Sequence, residues 1–148
     1  MTFSFSLQQV MDVKKNEQIQ AKKQVDLARD SFERTATSLY ERLKEKETLE
    51  KSVQSNQALG MKVSECVQTA LYLSQLEKVI LKMKEETDHA RMEMQKREEQ
   101  FQFTARSHKQ FERLKERQAQ QYEQDERKRE QQQMDEISVN QFNRALIG

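Results

Sequence analysis

The sequence predicts an all-α fold: two helices of unequal length laid side by side as an elongated antiparallel two-helix coiled coil. Three observations carry this. Proline is absent and only two glycines occur in 148 residues, so little interrupts a helix. The chain is 34% hydrophobic and 34% charged, short of the roughly 45–50% apolar content of a compact globule. Its apolar residues nevertheless recur in alternating steps of three and four, which a disordered chain has no reason to show. A chain this polar but this periodic is elongated, each residue burying only a narrow stripe. One coiled-coil domain over residues 1–148 is expected, with a first helix over about 7–56, a reversal over about 57–63, a second helix over about 64–134 and an amphipathic C-terminal segment at 135–148.

The opening stretch "TFSFSLQQVMDVKK" carries helix-start signals. Ser6 and Gln9 match a capping box, with Phe5 and Val10 at the staple positions flanking it. A heptad seam follows through Leu7, Met11, Ala21, Val25, Ala28, Phe32, Leu39, Leu49 and Val53. Lys14, Gln18, Thr35, Arg42 and Lys46 also fall on it, which predicts loose packing there. The pattern fails at "SVQSNQALGMKVSE", where Gly60 is the sole internal glycine and marks the reversal; Ser64 suits a cap for the second helix. That helix has the cleaner seam, running through Leu73, Leu76, Ile80, Met83, Thr87, Ala90, Met94, Arg97, Phe101, Thr104, His108, Phe111, Lys115, Gln118 and Tyr122, with its apolar content thinning after Phe111. Folding at Gly60 sets Val53 near Val67, Phe32 near Ala90, and Leu7 near the stretch from Phe111 to Lys115. At about 1.5 Å per residue the first helix is roughly 75 Å long and the second roughly 100 Å. Residues after about 116 therefore continue alone, and an isolated polar helix is only marginally stable.

The last residues return to apolar character. In "MDEISVNQF", Ser138 and Gln141 repeat the capping-box grammar, and Val139, Phe142 and Leu146 share one face. The stretch either restarts a short helix or continues the long one. Three fates stay open for its apolar side: packing onto Phe3, Phe5 and Leu7, serving as a helix-in-groove anchor for another protein, or fraying as a tail. A second apolar excess lies near the reversal. In "YLSQLEKVILKM", Tyr72, Leu76, Val79 and Met83 form one face beside the seam, wider than a coiled-coil stripe requires. Either the corner residues Leu59, Met61 and Val63 fold over it, or another protein does.

Little in the sequence supports catalysis. His89 and His108 are far apart, no HExxH or Cys/His cluster is present, and Cys66 has no histidine within a turn. One internal glycine cannot build a phosphate loop, so no enzyme, cofactor or metal is expected. The 26 basic and 25 acidic residues are interleaved, which reads as a solvated helix face and argues against nucleic-acid binding. A lone cysteine fits a reducing cytosol, no run of about 18 apolar residues is present to span a membrane, and the N-terminus lacks the pattern of a secretion signal.

Three places in the sequence resemble the FliJ family of flagellar export proteins: the opening "FSFSLQQVMDVKKNE", the corner-proximal "YLSQLEKVI" and the closing "MDEISVNQF". The resemblance covers the whole chain. It implies a hairpin similar to the central gamma-subunit stalk of rotary ATPases, inserted by its terminal ends into the hexameric ring of the flagellar export ATPase. It further implies contact with the cytoplasmic portion of the export gate, escort of empty export chaperones, and a place in the cytoplasm at the inner face of the membrane, without insertion into it. Carried over by position, the gate-contact face is Tyr72, Leu76, Val79 and Met83, where Met83 departs from the histidine of relatives. The ring-inserted end comprises Phe3, Phe5, Leu7 and Met11 with Met134, Asp135, Glu136, Ile137 and Phe142. The rival readings are a prefoldin-like chaperone hairpin, disfavoured by the lack of any alternating β-like run, and a homodimeric scaffold or adaptor.

Overall fold

The fold, a computed structural model, describes residues 2–147; Met1 and Gly148, at the ends of the expected domain and of its C-terminal segment, lie outside the described residues. Two helices form an antiparallel hairpin: α1, Gln8–Leu59 (52 residues), and α2, Val63–Ile147 (85 residues). Gly60 makes the turn between them at φ 89°, a left-handed conformation that costs glycine nothing and an L side chain about 1–2 kcal/mol. Its amide donates to the Gln57 carbonyl at 3.3 Å, closing the end of α1. Cross-helix partners are nearly equidistant from this turn throughout.

Both helix starts differ by a residue or two from the expected caps. The first intrahelical bond of α1 runs from the Met11 amide to the Leu7 carbonyl at 2.9 Å, so Leu7 occupies the capping position that the hydroxyl of Ser6 suggested for its own residue. The reason lies in packing: Phe5 is buried, and its carbonyl accepts from the Gln8 amide at 3.1 Å, which draws the entry turn one residue onward. In α2 the Cys66 amide donates to the Lys62 carbonyl at 3.0 Å, which leaves Ser64 inside the first turn.

The helices make up two compact units, Ile19–Gln102 and Met1–Gln18 with Phe103–Gly148. In the first, Val25, Leu76 and Ile80 are buried along the seam. Thr87 is buried with them and its hydroxyl donates to the Met83 carbonyl at 2.7 Å, so a polar seam position keeps its hydrogen bond. Thr35, half-buried, does the same toward Phe32 at 3.0 Å. Arg91 lies over the Phe32 ring at 5.7 Å and Lys22 over Phe101 at 5.6 Å, while Lys46 reaches Glu77 at 3.5 Å and Arg29 reaches Glu98 at 3.5 Å. These long cations cover the seam with their stems and leave their charges in water.

In the second unit the N-terminal residues and the first turns of α1 pack against α2. Phe5 is buried, Phe3 meets Tyr122 with ring centroids 5.7 Å apart, and Lys115 donates to the Gln8 side chain at 2.8 Å. His108 is buried on the seam, with Nδ1 3.5 Å from Glu112. Beyond this, α2 continues unbroken, and every residue from 127 to 147 is exposed. Short-range pairs support it: Arg127 with Glu123 at 2.9 Å, Arg129 with Glu126 at 3.4 Å, and Gln121 with Asp125 at 3.1 Å. Each contributes about 0.2–0.5 kcal/mol. Ser138 therefore sits within a running helix instead of capping a new one.

Candidate functional site

The corner-proximal face lies in the unit Ile19–Gln102 and has two layers. Tyr72 and Val79 are 45% and 42% exposed, whereas Leu76 is buried at 5% and supports them from beneath. Met83 is half-buried and lines a recess of about 290 Å³ with Ser31, Arg34, Thr35, Ser38 and Glu86. Of the corner residues, Leu59 is 85% and Val63 80% exposed, whereas Met61 is half-buried. Four residues that are near neighbours in sequence thus have three different environments, because helical rotation turns each one differently toward α1.

The Tyr72 hydroxyl donates to Glu45 of α1, and the same carboxylate accepts from Arg42 at 2.9 Å. The bond from Tyr72, and then the one from Arg42, hold the Glu45 carboxyl below its ordinary value; the same carboxylate holds the Tyr72 phenol above its own. The ring is thereby oriented at the rim of an open groove of roughly 520 Å³ whose other walls are Glu41, Lys44, Thr48, Leu49 and Ser52 of α1. Neither Glu45 nor the α1 wall is visible in the local sequence around Tyr72. Only the register of the hairpin, which brings positions 27 residues apart together, makes the pairing findable.

The terminal residues divide into two sets on the other unit. Phe3, Leu7 and Met11 are half-buried and Phe5 is buried, with Phe3 and Met11 against the part of α2 near Lys109 to Tyr122. Phe3 and Met11 border an open groove of about 460 Å³ with Lys109, Glu112, Arg113, Lys115, Glu116 and Ala119. Burial, and then Glu126, raise the Tyr122 phenol that Phe3 rests on. Met134, Ile137 and Phe142 are 67%, 55% and 65% exposed, and Asp135 and Glu136 are exposed with them. Met134 lies twelve residues past Tyr122, about 18 Å along the helix, so the apolar residues of the closing stretch do not pack on Phe3, Phe5 and Leu7.

His89 is exposed and Cys66 is a half-buried free thiol. Among the described residues no group of three His, Cys, Asp or Glu side chains could hold a metal ion, and no helix is long and apolar enough to cross a membrane.

A two-helix hairpin with a polar, locally paired surface and two partly uncovered apolar faces places the chain among helical coiled-coil proteins. Comparison with known proteins gives the particular kind. The family model described as "Flagellar FliJ protein" matches residues 3–146, and the chain belongs to that family. It is 28% identical to the flagellar FliJ protein of Bacillus subtilis (strain 168) over 142 residues, covering 96% of this chain and 97% of that protein. Its fold is similar to that of CT670 from Chlamydia trachomatis, described as a YscO homolog, with a TM-score of 0.67, 19% identity and 93% of each chain covered. Membership makes it a component of flagellar type III export, in a family of structural rather than enzymatic proteins.

Proposed function

We propose that the chain is a stalk-like export component that binds the hexameric export ATPase ring through its terminal unit and the cytoplasmic portion of the export gate through the Tyr72 face. On this reading Tyr72, Val79 and Met83 meet the gate, with Leu76 holding them from below. Phe3, Phe5, Leu7 and Met11 shape the base of the ring-facing end, while Met134, Asp135, Glu136, Ile137 and Phe142 reach the ring directly. Escort of empty export chaperones belongs to the same reading. These partners would hold the protein at the inner face of the membrane at the flagellar base.

The observation that carries the proposal is the uncovered end of α2. Water is a poor environment for Met134, Ile137, Val139, Phe142, Leu146 and Ile147, each 55% or more exposed in a stretch whose preceding turns are almost wholly charged or amide. Val139, Phe142 and Leu146 share one face of this helix end and Met134, Ile137 and Ile147 add apolar surface beside it, which fits insertion into an apolar-lined lumen or groove. The charged turns before it carry both signs, which suits passage along polar walls without tight adhesion.

The test compares full-length protein with a truncation after Gln133 and with an Ile137→Ala/Phe142→Ala variant, measuring affinity for the purified ATPase and stimulation of its turnover. All the altered side chains are exposed, so the remaining hairpin stays folded. Loss of affinity by about tenfold or more is expected, as for removal of two interface anchors. Unchanged affinity together with unchanged stimulation would refute the ring-binding role.

A further inference from the structure

Residues 102–131 of α2 contain eight basic and six acidic side chains, mixed along the sequence but sorted around the helix. At 100° per residue, Arg106, Lys109, Arg113, Arg117, Arg127 and Lys128 fall within about 60° of one line along α2. Every acidic residue of the stretch, Glu112, Glu116, Glu123, Asp125, Glu126 and Glu130, falls about 80° or more from that line. The other positions of the strip are glutamines and one aromatic, Phe103, and all of its residues are exposed. The opposite side of the helix holds buried His108, Lys115 bonded to Gln8, and Tyr122 against Phe3. The strip is therefore centred away from α1, although Lys109 and Arg113 also border the groove beside Phe3. Arg127 reaches back to Glu123 at 2.9 Å, while the other five cations are in no ion pair among the described residues. From Arg106 to Lys128 the strip is roughly 33 Å long. In the other unit, by contrast, exposed α2 positions mix the signs, with Glu85, Asp88 and Glu99 among Lys84 and Arg91.

We infer that this cationic strip is a docking surface for an anionic phospholipid bilayer, on which the helix side lies by charge and without insertion. The inference does not depend on the ring or gate readings. A charged surface senses what lies within about one Debye length, roughly 8 Å at physiological salt. The helix with its side chains is about 10–12 Å across, so a bilayer against the strip meets six cations while the carboxylates on the far side are largely screened. Each Lys or Arg held at an anionic leaflet strengthens adsorption by about fivefold. A leaflet is flat, and an unbroken helix side brings all six long side chains within reach of one plane. The backbone of a nucleic-acid duplex instead curves away from such a side and meets it only at spaced crossings. Single strands call for a row of aromatic side chains, and the strip has one. The glutamines between the cations stay wetted at a headgroup surface and need no matched partner.

The experiment sediments the full-length chain with vesicles of phosphatidylcholine alone and with vesicles containing about one-third phosphatidylglycerol, at low and high salt. Two variants of equal net charge are compared. Arg106→Gln/Arg113→Gln/Arg117→Gln removes three cations from the strip, and Lys78→Gln/Lys82→Gln/Lys96→Gln removes three exposed cations from the other unit. Glutamine keeps the helix propensity of the residues it replaces, and circular dichroism checks that helix content is unchanged. Wild type should bind the anionic vesicles at least about tenfold more tightly than the neutral ones, and less tightly as salt rises. The strip variant should lose about tenfold or more of that binding and the other variant less than about threefold. Equal binding of wild type to both kinds of vesicle, or undiminished binding by the strip variant, would overturn the inference. Equal weakening of the two variants would also overturn it, since net charge and not the strip would then be responsible. Tighter binding of wild type to a duplex DNA fragment than to anionic vesicles at the same salt, lost in the strip variant, would reassign the strip to nucleic acid and overturn the bilayer.

Discussion

Leu76 offers a sharp test because it belongs to the corner-proximal face by sequence and to the seam by structure. Leu76→Ala removes three carbons from a site 5% exposed. At about 0.8 kcal/mol per buried carbon the transfer loss is about 2.4 kcal/mol, and a two-helix seam open on both flanks adds only a small cavity cost, for a total of about 2.5–3 kcal/mol. Val79→Ala removes two carbons from a site 42% exposed and should cost about 0.5–1 kcal/mol. Urea unfolding of the full-length chain, followed by helix signal, would read the first change as a midpoint shift of roughly 1–2 M and the second as a third of that or less. Near-equal shifts for the two variants, or a cost below about 1 kcal/mol for Leu76→Ala, would refute the assignment of Leu76 to the core. If the assignment holds, any loss of partner binding in Leu76→Ala follows from a loosened support and not from a lost contact.

Three further outcomes follow from other sites. Tyr72→Phe removes the hydrogen bond to Glu45; since that bond lowers the folded-state pKa of Glu45, its stabilisation is present at neutral pH and is lost as pH falls through and below the ordinary carboxylate value of 4.5. Wild type should therefore lose more stability than Tyr72→Phe between about pH 6 and pH 3 in urea titrations, and equal losses would exclude the bond. At the alkaline end the sign reverses: the raised Tyr72 pKa gives stabilisation that is present below 10.0 and lost as pH rises through the folded value. Gly60→Ala should cost about 1–2 kcal/mol through its φ of 89° although nothing lies within 4 Å of the added carbon, and Gly60→Asn should cost less, as thermal unfolding can show. His108→Leu should stabilise the chain by about 1 kcal/mol in urea unfolding, because it removes a buried Nε2 that has no hydrogen-bond partner.

The seam of α2 was legible because Leu73, Leu76, Ile80, Met83, Thr87 and Ala90 keep an unbroken rhythm, and a single glycine in a proline-free chain left one place for the turn. The caps were less legible. A serine hydroxyl is a local signal, and burial of Phe5, a tertiary effect, outweighed it at the start of α1. Continuity at the end of α2 could not be chosen from sequence either, since Ser138 with Gln141 fits a cap while the Glu, Gln and Arg residues around it favour helix. For the candidate site, Tyr72 and Val79 stood out by composition. The bond to Glu45 and the α1 wall of the groove did not, because they depend on hairpin register to within a residue. Leu76 shows the converse limit: face membership inferred from spacing does not separate a contact residue from the core residue one turn beneath it.

The unbroken course of α2 past Tyr122 has a geometric consequence. With residues 127–147 all exposed, each residue deleted between Glu123 and Gln133 would draw the closing apolar side chains about 1.5 Å back and rotate them by 100°. Removing seven would shorten the span by roughly 10 Å while leaving its heading within about 20°; removing two would barely shorten it but point Phe142 nearly the opposite way. Reach and angular phase at the tip are thus separately adjustable, and length variants of this span can tell which of the two a bound partner senses.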